Sequence, residues 1–278
     1  MTEVSFAARF SRRHLADQLV AQFLRLRDLG HWDGVVAMIA PDLEVEDLRQ
    51  CVDRPVPTSD ALNSVMSTFP IDGGELLNIQ VVAERGTRLA LVHVTISYPP
   101  KGIEDMYCVM ACAESGLIQR LALFDGGDLD VALARLARDF ASTLDPVPAG
   151  VMNTASGLMI AIGERDYTAI EALTTRDLRH VDRRHESPIT LSKPEVMDLV
   201  RSVLESDREV TDVITEIHHV NGRGVVASRS QARARPDGRL ATDIVLVAVR
   251  NSQVDLVEFF DDADLQLALL RLEAVTSV

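Results

Sequence analysis

Hydrophobic positions along this chain follow two rhythms. In RRHLADQLVAQFLRLRDLG, residues Leu15, Leu19, Phe23 and Leu26 recur at helical spacing and predict an amphipathic helix. A second short helix is predicted from Trp32 to Ile39. After it the period drops to two. Leu43, Val45 and Asp47 fall on alternate positions, and alternate residues of a strand share one face. That face reads apolar, apolar, carboxylate. A helix near Ser59–Phe69 comes next. Three or four long strands follow, over LLNIQVVAE, RLALVHVTISYP, DMYCVMACA and LIQRLALFD, and then a closing helix. In the first of these strands Glu75, Leu77, Ile79 and Val81 alternate onto one face, so a second carboxylate heads an apolar stripe.

The same order then repeats. LALFDGGDLDVALARL (121–136) matches VEFFDDADLQLALLRL (257–272), with Phe124, Asp125, Asp128, Ala132, Leu133, Arg135 and Leu136 recurring at an offset of 136 residues. PDLEVEDLR (41–49) matches RDLRHVDRR (176–184) at an offset of 135, which pairs Asp47 with Asp182. Two long copies indicate duplicated domains rather than a solenoid. The expectation is an α+β chain of two tandem domains, residues 1–143 and 151–278, each of helices and a curved, mostly antiparallel sheet. Residues 144–150 lie in STLDPVPAG, whose Pro/Gly character reads as a linker. In the second copy Ser192-Lys193-Pro194-Glu195 has the form of a capping box opening a helix. Glu209 heads a stripe running through Val213 and Ile217, and lies 27 residues after Asp182, as Glu75 lies 28 after Asp47.

Composition narrows the function classes. The 278 residues are 47% hydrophobic and carry a formal net charge of −14, enough apolar material for two cores. That charge argues against nucleic acid and anionic membrane surfaces as main partners. No apolar run reaches membrane-spanning length, and the first residues lack a signal-peptide core. The three cysteines make no disulfide framework. A cytoplasmic protein is expected. No spacing of histidines or cysteines suits a metal, since His218 and His219 must face opposite ways on a strand, and no phosphate-cradling or nucleophile-elbow motif occurs.

The candidate chemistry lies in the paired acids. An aspartate and a glutamate near one apolar cavity split their titration, so one stays ionised while the other holds a proton, giving a base and an acid. A strand-end acid can equally meet solvent at a sheet rim, but two matching pairs on apolar stripes favour function. His180 shares the strand face of Asp182 and either polarises a substrate or sits satisfied in a core. His93 reads as the counterpart of Arg229, and both can point to a pocket or to the sheet surface. Tyr107 can donate a hydrogen bond or simply pack. Phe23 and Phe259 can shape a pocket wall. RSQARARPDGR (229–239) is either a solvated turn or a place to dock an acidic carrier protein or the other half of the chain.

GHWDGVVAMIAPDLEVEDLR (30–49) resembles the segment of ketosteroid isomerase-like proteins whose VED aspartate is the catalytic base. It is also similar to the wider SnoaL and nuclear transport factor-like superfamily, a cone-shaped α+β barrel around a deep pocket. Polyether epoxide hydrolases of the lasalocid type are similar in having two such domains in one chain. That resemblance implies catalytic pairs Asp47 with Glu75 and Asp182 with Glu209. It implies a hydrophobic polyketide epoxide as substrate, opened by an internal hydroxyl to form cyclic ethers, without metal or cofactor. Two other readings are an isomerase or cyclase of the ketosteroid isomerase or SnoaL type, and a tandem domain that only binds small molecules.

Overall fold

The structure, a computed structural model, describes residues 15–50, 75–98, 102–206, 212–234 and 240–276. The helix expected near Ser59–Phe69, Glu209 and the turn at 235–239 lie outside the described residues. The chain divides into two compact units, residues 1–136 and 137–278.

The first unit opens with helices α1 (Leu15–Asp28) and α2 (Trp32–Val36). Its strands are β1 (Ile39–Asp47), β2 (Glu75–Arg85), β3 (Leu89–Tyr98), β4 (Gly102–Cys112) and β5 (Ile118–Asp125). They lie in the order β1-β5-β4-β3-β2. β1 runs parallel to β5, and the remaining pairs are antiparallel. Alternation divides the residues between two faces. The inner face carries Leu43 and Val45 of β1, Leu121 and Leu123 of β5, Met106, Cys108 and Met110 of β4, and Val92, Val94 and Ile96 of β3. Leu19, Phe23 and Leu26 of α1 pack on it, which accounts for the helical spacing of those residues. Helix α3 (Leu129–Ala141) spans the division between the units.

The second unit contains α4 (Pro146–Gly163), α5 (Tyr167–Leu173), β6 (Thr174–Asp182), β7 (Ile189–Ser192) and α6 (Lys193–Ser206). It continues through β8 (Asp212–Val220), β9 (Gly224–Ala234), β10 (Leu240–Arg250), β11 (Gln253–Asp261) and the closing helix α7 (Leu265–Thr276). The sheet order is β7-β6-β11-β10-β9-β8, again with one parallel pair, β6 on β11. Its outer face, with Val181, Val226, Ile244, Leu246 and Phe260, buries against Ala268 and Leu272 of α7. The edge strand β7 was not foreseen; only four residues long, it has no room for a clear alternation.

The α+β class is as expected in both halves, but the sheets are open. Among the described residues β1 and β2 remain edge strands, as do β7 and β8, so neither sheet closes into the expected barrel. Closure requires the two edges to pair, and in the first unit α1 lies against β2 instead. Residues 146–150 of the segment read as a linker are the start of α4, with Pro146 at the first helical position, where its missing N–H costs no hydrogen bond. One half of the Ser192 capping box is in place: Glu195 accepts hydrogen bonds from Ser192 N at 2.7 Å and from Ser192 Oγ at 2.6 Å. Among the described residues no helix is long and apolar enough to cross a membrane.

Candidate functional site

The strand carrying Leu43 and Val45 does turn Asp47 inward, and its side chain is only 1% exposed. What satisfies the charge is Arg49, two residues on. Arg49 donates from its backbone N (3.2 Å) and Nε (2.9 Å) to Asp47 Oδ1, and from Nη2 to Oδ2 (2.8 Å). Its Nη1 reaches Glu104 Oε1 on β4 at 3.1 Å. One guanidinium thus bridges two carboxylates, in the fork geometry that suits arginine to such a role.

The second unit repeats the device. Arg184 donates to Asp182 Oδ1 from N (3.0 Å) and Nε (2.9 Å) and to Oδ2 from Nη2 (2.6 Å). Its Nη1 bonds Asp243 Oδ2 at 2.8 Å. These contacts, led by the Arg184 side chain, hold the Asp182 carboxyl down at about 2. Asp243 is also gripped by Arg229, from Nε to Oδ1 at 2.9 Å and from Nη2 to Oδ2 at 2.7 Å. The Phe259 ring lies against both cations, its centroid 4.4 Å from the Arg229 guanidinium carbon and 5.3 Å from that of Arg184. His180 packs on the same ring at 5.0 Å between centroids. Asp182, Asp243, Arg184, Arg229, Phe259 and His180 therefore form one cluster on the inner face.

Strand register gives the positional match between the units. Asp47 pairs with Leu123 and Asp182 with Phe259. Val94 pairs with Met106, and Arg229 with Asp243. Tyr107 and Ile244 lie opposite Phe124 and Phe260. Arg229 thus corresponds to Val94, and the true counterpart of His93 is Ser228. The expected match of His93 to Arg229 was one residue out of step, and in a strand one step reverses the face. His93 and Tyr107 form a pair of rings 4.9 Å apart, on the face opposite Val94 and Met106. There His93 Nε2 approaches Asp105 at 3.3 Å. The structure does not bring these two residues to Asp47. Phe23 stands in the inner-face core.

Glu75 begins β2, its backbone paired with Ser97. A register shift between Leu76 and Asn78 interrupts the alternation that placed Glu75 in line with Ile79 and Val81. Sequence reasoning missed Arg49 and Arg184. The signal was present, since both follow their aspartate by two residues and recur at the same offset of 135. Among the described residues no three His, Cys, Asp or Glu side chains converge as a metal site requires.

One polar atom in the cluster is unspent. His180 Nδ1 is buried and has no hydrogen-bond partner, a state that costs about 1–3 kcal/mol in general. Desolvation, the largest cause, lowers the imidazole pKa below its usual 6.5 and keeps the ring neutral.

No family model and no curated protein matches the chain. Solved structures are similar over less than half of it. An epoxide hydrolase of M. tuberculosis, described as LEH-like, is 19% identical over 46% of this chain and 96% of its own, with a TM-score of 0.32. An NTF2-like protein from Burkholderia xenovorans LB400 is 18% identical over 44% and 94%, with a TM-score of 0.33. A protein with a ketosteroid isomerase-like fold from Catenulispora acidiphila DSM 44928, in complex with trimethylamine, is 14% identical over 38% and 83%, with a TM-score of 0.32.

Proposed function

We propose that this chain is an acid–base enzyme acting on an apolar small molecule, opening epoxides of a linear polyketide by attack of an internal hydroxyl to form cyclic ethers. The observation that carries the reading is the arginine-bridged acid pair Asp182–Arg184–Asp243, with a like bridge, Asp47–Arg49–Glu104, built on the matching aspartate and arginine of the first unit. Epoxide opening needs an acceptor for the proton of the attacking hydroxyl and a donor at the epoxide oxygen. Asp182 is the acceptor. It is ionised, oriented by three hydrogen bonds, and 14% exposed. When the substrate hydroxyl replaces one Arg184 contact, the carboxylate loses part of the stabilisation that holds its pKa low, and its basicity rises. Glu209 is the donor, as the likeness to polyether epoxide hydrolases implies, and the same likeness makes Glu75 the donor that partners Asp47 in the first unit. Val245, Val247 and Ala227 are buried on the inner face, where apolar walls fold a greasy chain toward ring closure and exclude the water that would give a diol.

For the first unit one observation favours a second reading, a binding domain without chemistry. Asp47 is nearly closed to solvent and fully engaged by Arg49. A linear bisepoxide given to the wild type, to Asp47→Asn and to Asp182→Asn separates these readings. Two active units predict that each variant stalls at a different stage. A binding first unit predicts that only Asp182→Asn loses turnover. Full product from Asp182→Asn sinks the enzyme reading.

A further inference from the structure

Hydrogen-bond bookkeeping on the inner face of the second unit singles out one residue. Asp182, Arg184, Arg229 and Asp243 engage one another. His180 does not join them: its Nδ1 is buried and bonds no other residue, its own backbone being its one polar contact, although two arginines and an aspartate stand nearby. In the first unit the matching position is Val45, which is buried in a continuous apolar core. The fold therefore accepts a valine there, and the histidine answers some need other than packing. A buried polar atom left unbonded in a finished structure calls for such an explanation. The imidazole is neutral, so it can offer a ring N–H without bringing a charge into the site.

We propose that His180 is the ligand-selecting residue of the second unit, donating a hydrogen bond from Nδ1–H to an oxygen atom of the bound molecule. The identification of that atom as an epoxide oxygen rests on the function proposed above; the hydrogen bond itself does not. Nδ1 is shut off from bulk water, so the incoming molecule opens the packing around the imidazole and supplies the missing acceptor. Its class is an apolar molecule bearing an ether-type oxygen. The same skeleton without the oxygen leaves Nδ1 unbonded and binds less well.

The test compares 2-heptyltetrahydropyran, an unreactive cyclic ether, with heptylcyclohexane. Binding is measured by titration calorimetry to the intact chain, to His180→Val and to His180→Gln. The wild type should prefer the ether by about tenfold, the worth of one hydrogen bond of ordinary strength. His180→Val should lose that preference, still bind the hydrocarbon, and melt no lower than the wild type. His180→Gln keeps an N–H donor and should retain part of the preference, which also covers the case in which the valine variant fails to fold. A wild type indifferent to the oxygen, or a preference unchanged in His180→Val, overturns the proposal. Epoxide turnover is read separately on wild type and Asp182→Asn. Its absence sinks the epoxide reading, while the ether preference alone decides the role of His180.

Discussion

The inner faces of the two units share a backbone plan and differ in what they bury. Val45, Val94, Met106 and Leu123 of the first become His180, Arg229, Asp243 and Phe259 of the second. All four belong to the apolar core in the first unit. In the second, two of the four form a buried ion pair. Each unit anchors its strand-end aspartate, Asp47 or Asp182, with an arginine two residues on, but the arginine's second acid moves. In the first unit it is Glu104, 41% exposed toward the rim. In the second it is Asp243, 7% exposed and matched to Met106, one inward-facing position deeper. A deeper acid is shorter and more tightly held. The lesson is that duplication preserved the anchored aspartate while its surroundings were rebuilt, one unit toward apolar packing and the other toward charge.

The largest expected effect comes from breaking that charge. Arg229→Val alone should destabilise the second unit by about 3–5 kcal/mol, because Asp243 stays buried without its main partner. Arg229→Val with Asp243→Met imports the first unit's own pair and should recover most of that loss, since apolar residues of fitting volume replace buried ion pairs at little cost. Urea unfolding of the single and double variants checks both. A double variant as unstable as the single one would mean the two inner faces are not interchangeable.

Glu258, fully buried on the outer face, accepts from Arg183 Nη2 at 3.1 Å and from Arg271 Nε at 3.1 Å. Glu258→Ala should cost about 1–3 kcal/mol, softened because both arginines are partly exposed and can turn toward water. The first unit, with Ala122 at the matching place, should be unaffected; thermal unfolding resolved by unit tests this.

A smaller effect is tied to pH. The Asp182 carboxyl is lowered from 3.8 to about 2 in the folded protein. Its contribution is therefore fully present above 3.8 and lost as pH falls through about 2. Allowing for solvent at a partly open site, this amounts to roughly 1–2 kcal/mol. Asp182→Asn should flatten that part of the stability–pH curve.

His180 gives the smallest effect. Its pKa is lower folded than unfolded, so stability is present above 6.5 and declines as pH falls below it, where the unfolded chain takes the proton first. His180→Val should remove this decline and make the second unit behave as the first does with Val45.

Much of this was legible in the chain itself. The duplicated FD…ALxRL segment marked two copies, and alternation in β1 turned Asp47 inward. What escaped was register. The bulge beside Leu77 shifts β2 by one residue, and a one-residue error also misaligned His93 with Arg229. Alternation reports which residues share a face only while the ladder is unbroken. Arg49 and Arg184 escaped for another reason. Residues two apart on a strand share a face, yet each arginine lies just past its strand's end, where it closes back onto the acid through side-chain reach.

The closing helix carries a last asymmetry. Arg135 of the first unit pairs with Glu46 on β1 at 2.8 Å, whereas the matching Arg271 pairs with Glu258 on β11. The arginine kept its place while the acid changed strands, since Val181 stands where Glu46 does and Ala122 where Glu258 does. The two halves are therefore not freely recombinable parts. A chimera joining β1 to β11 and the second closing helix would crowd two carboxylates around one guanidinium. The reciprocal splice, β6 with β5 and the first closing helix, would leave that arginine facing Val181 and Ala122 with no counter-charge on either strand. Any shuffling of this gene between its repeats must carry the two parallel strands together.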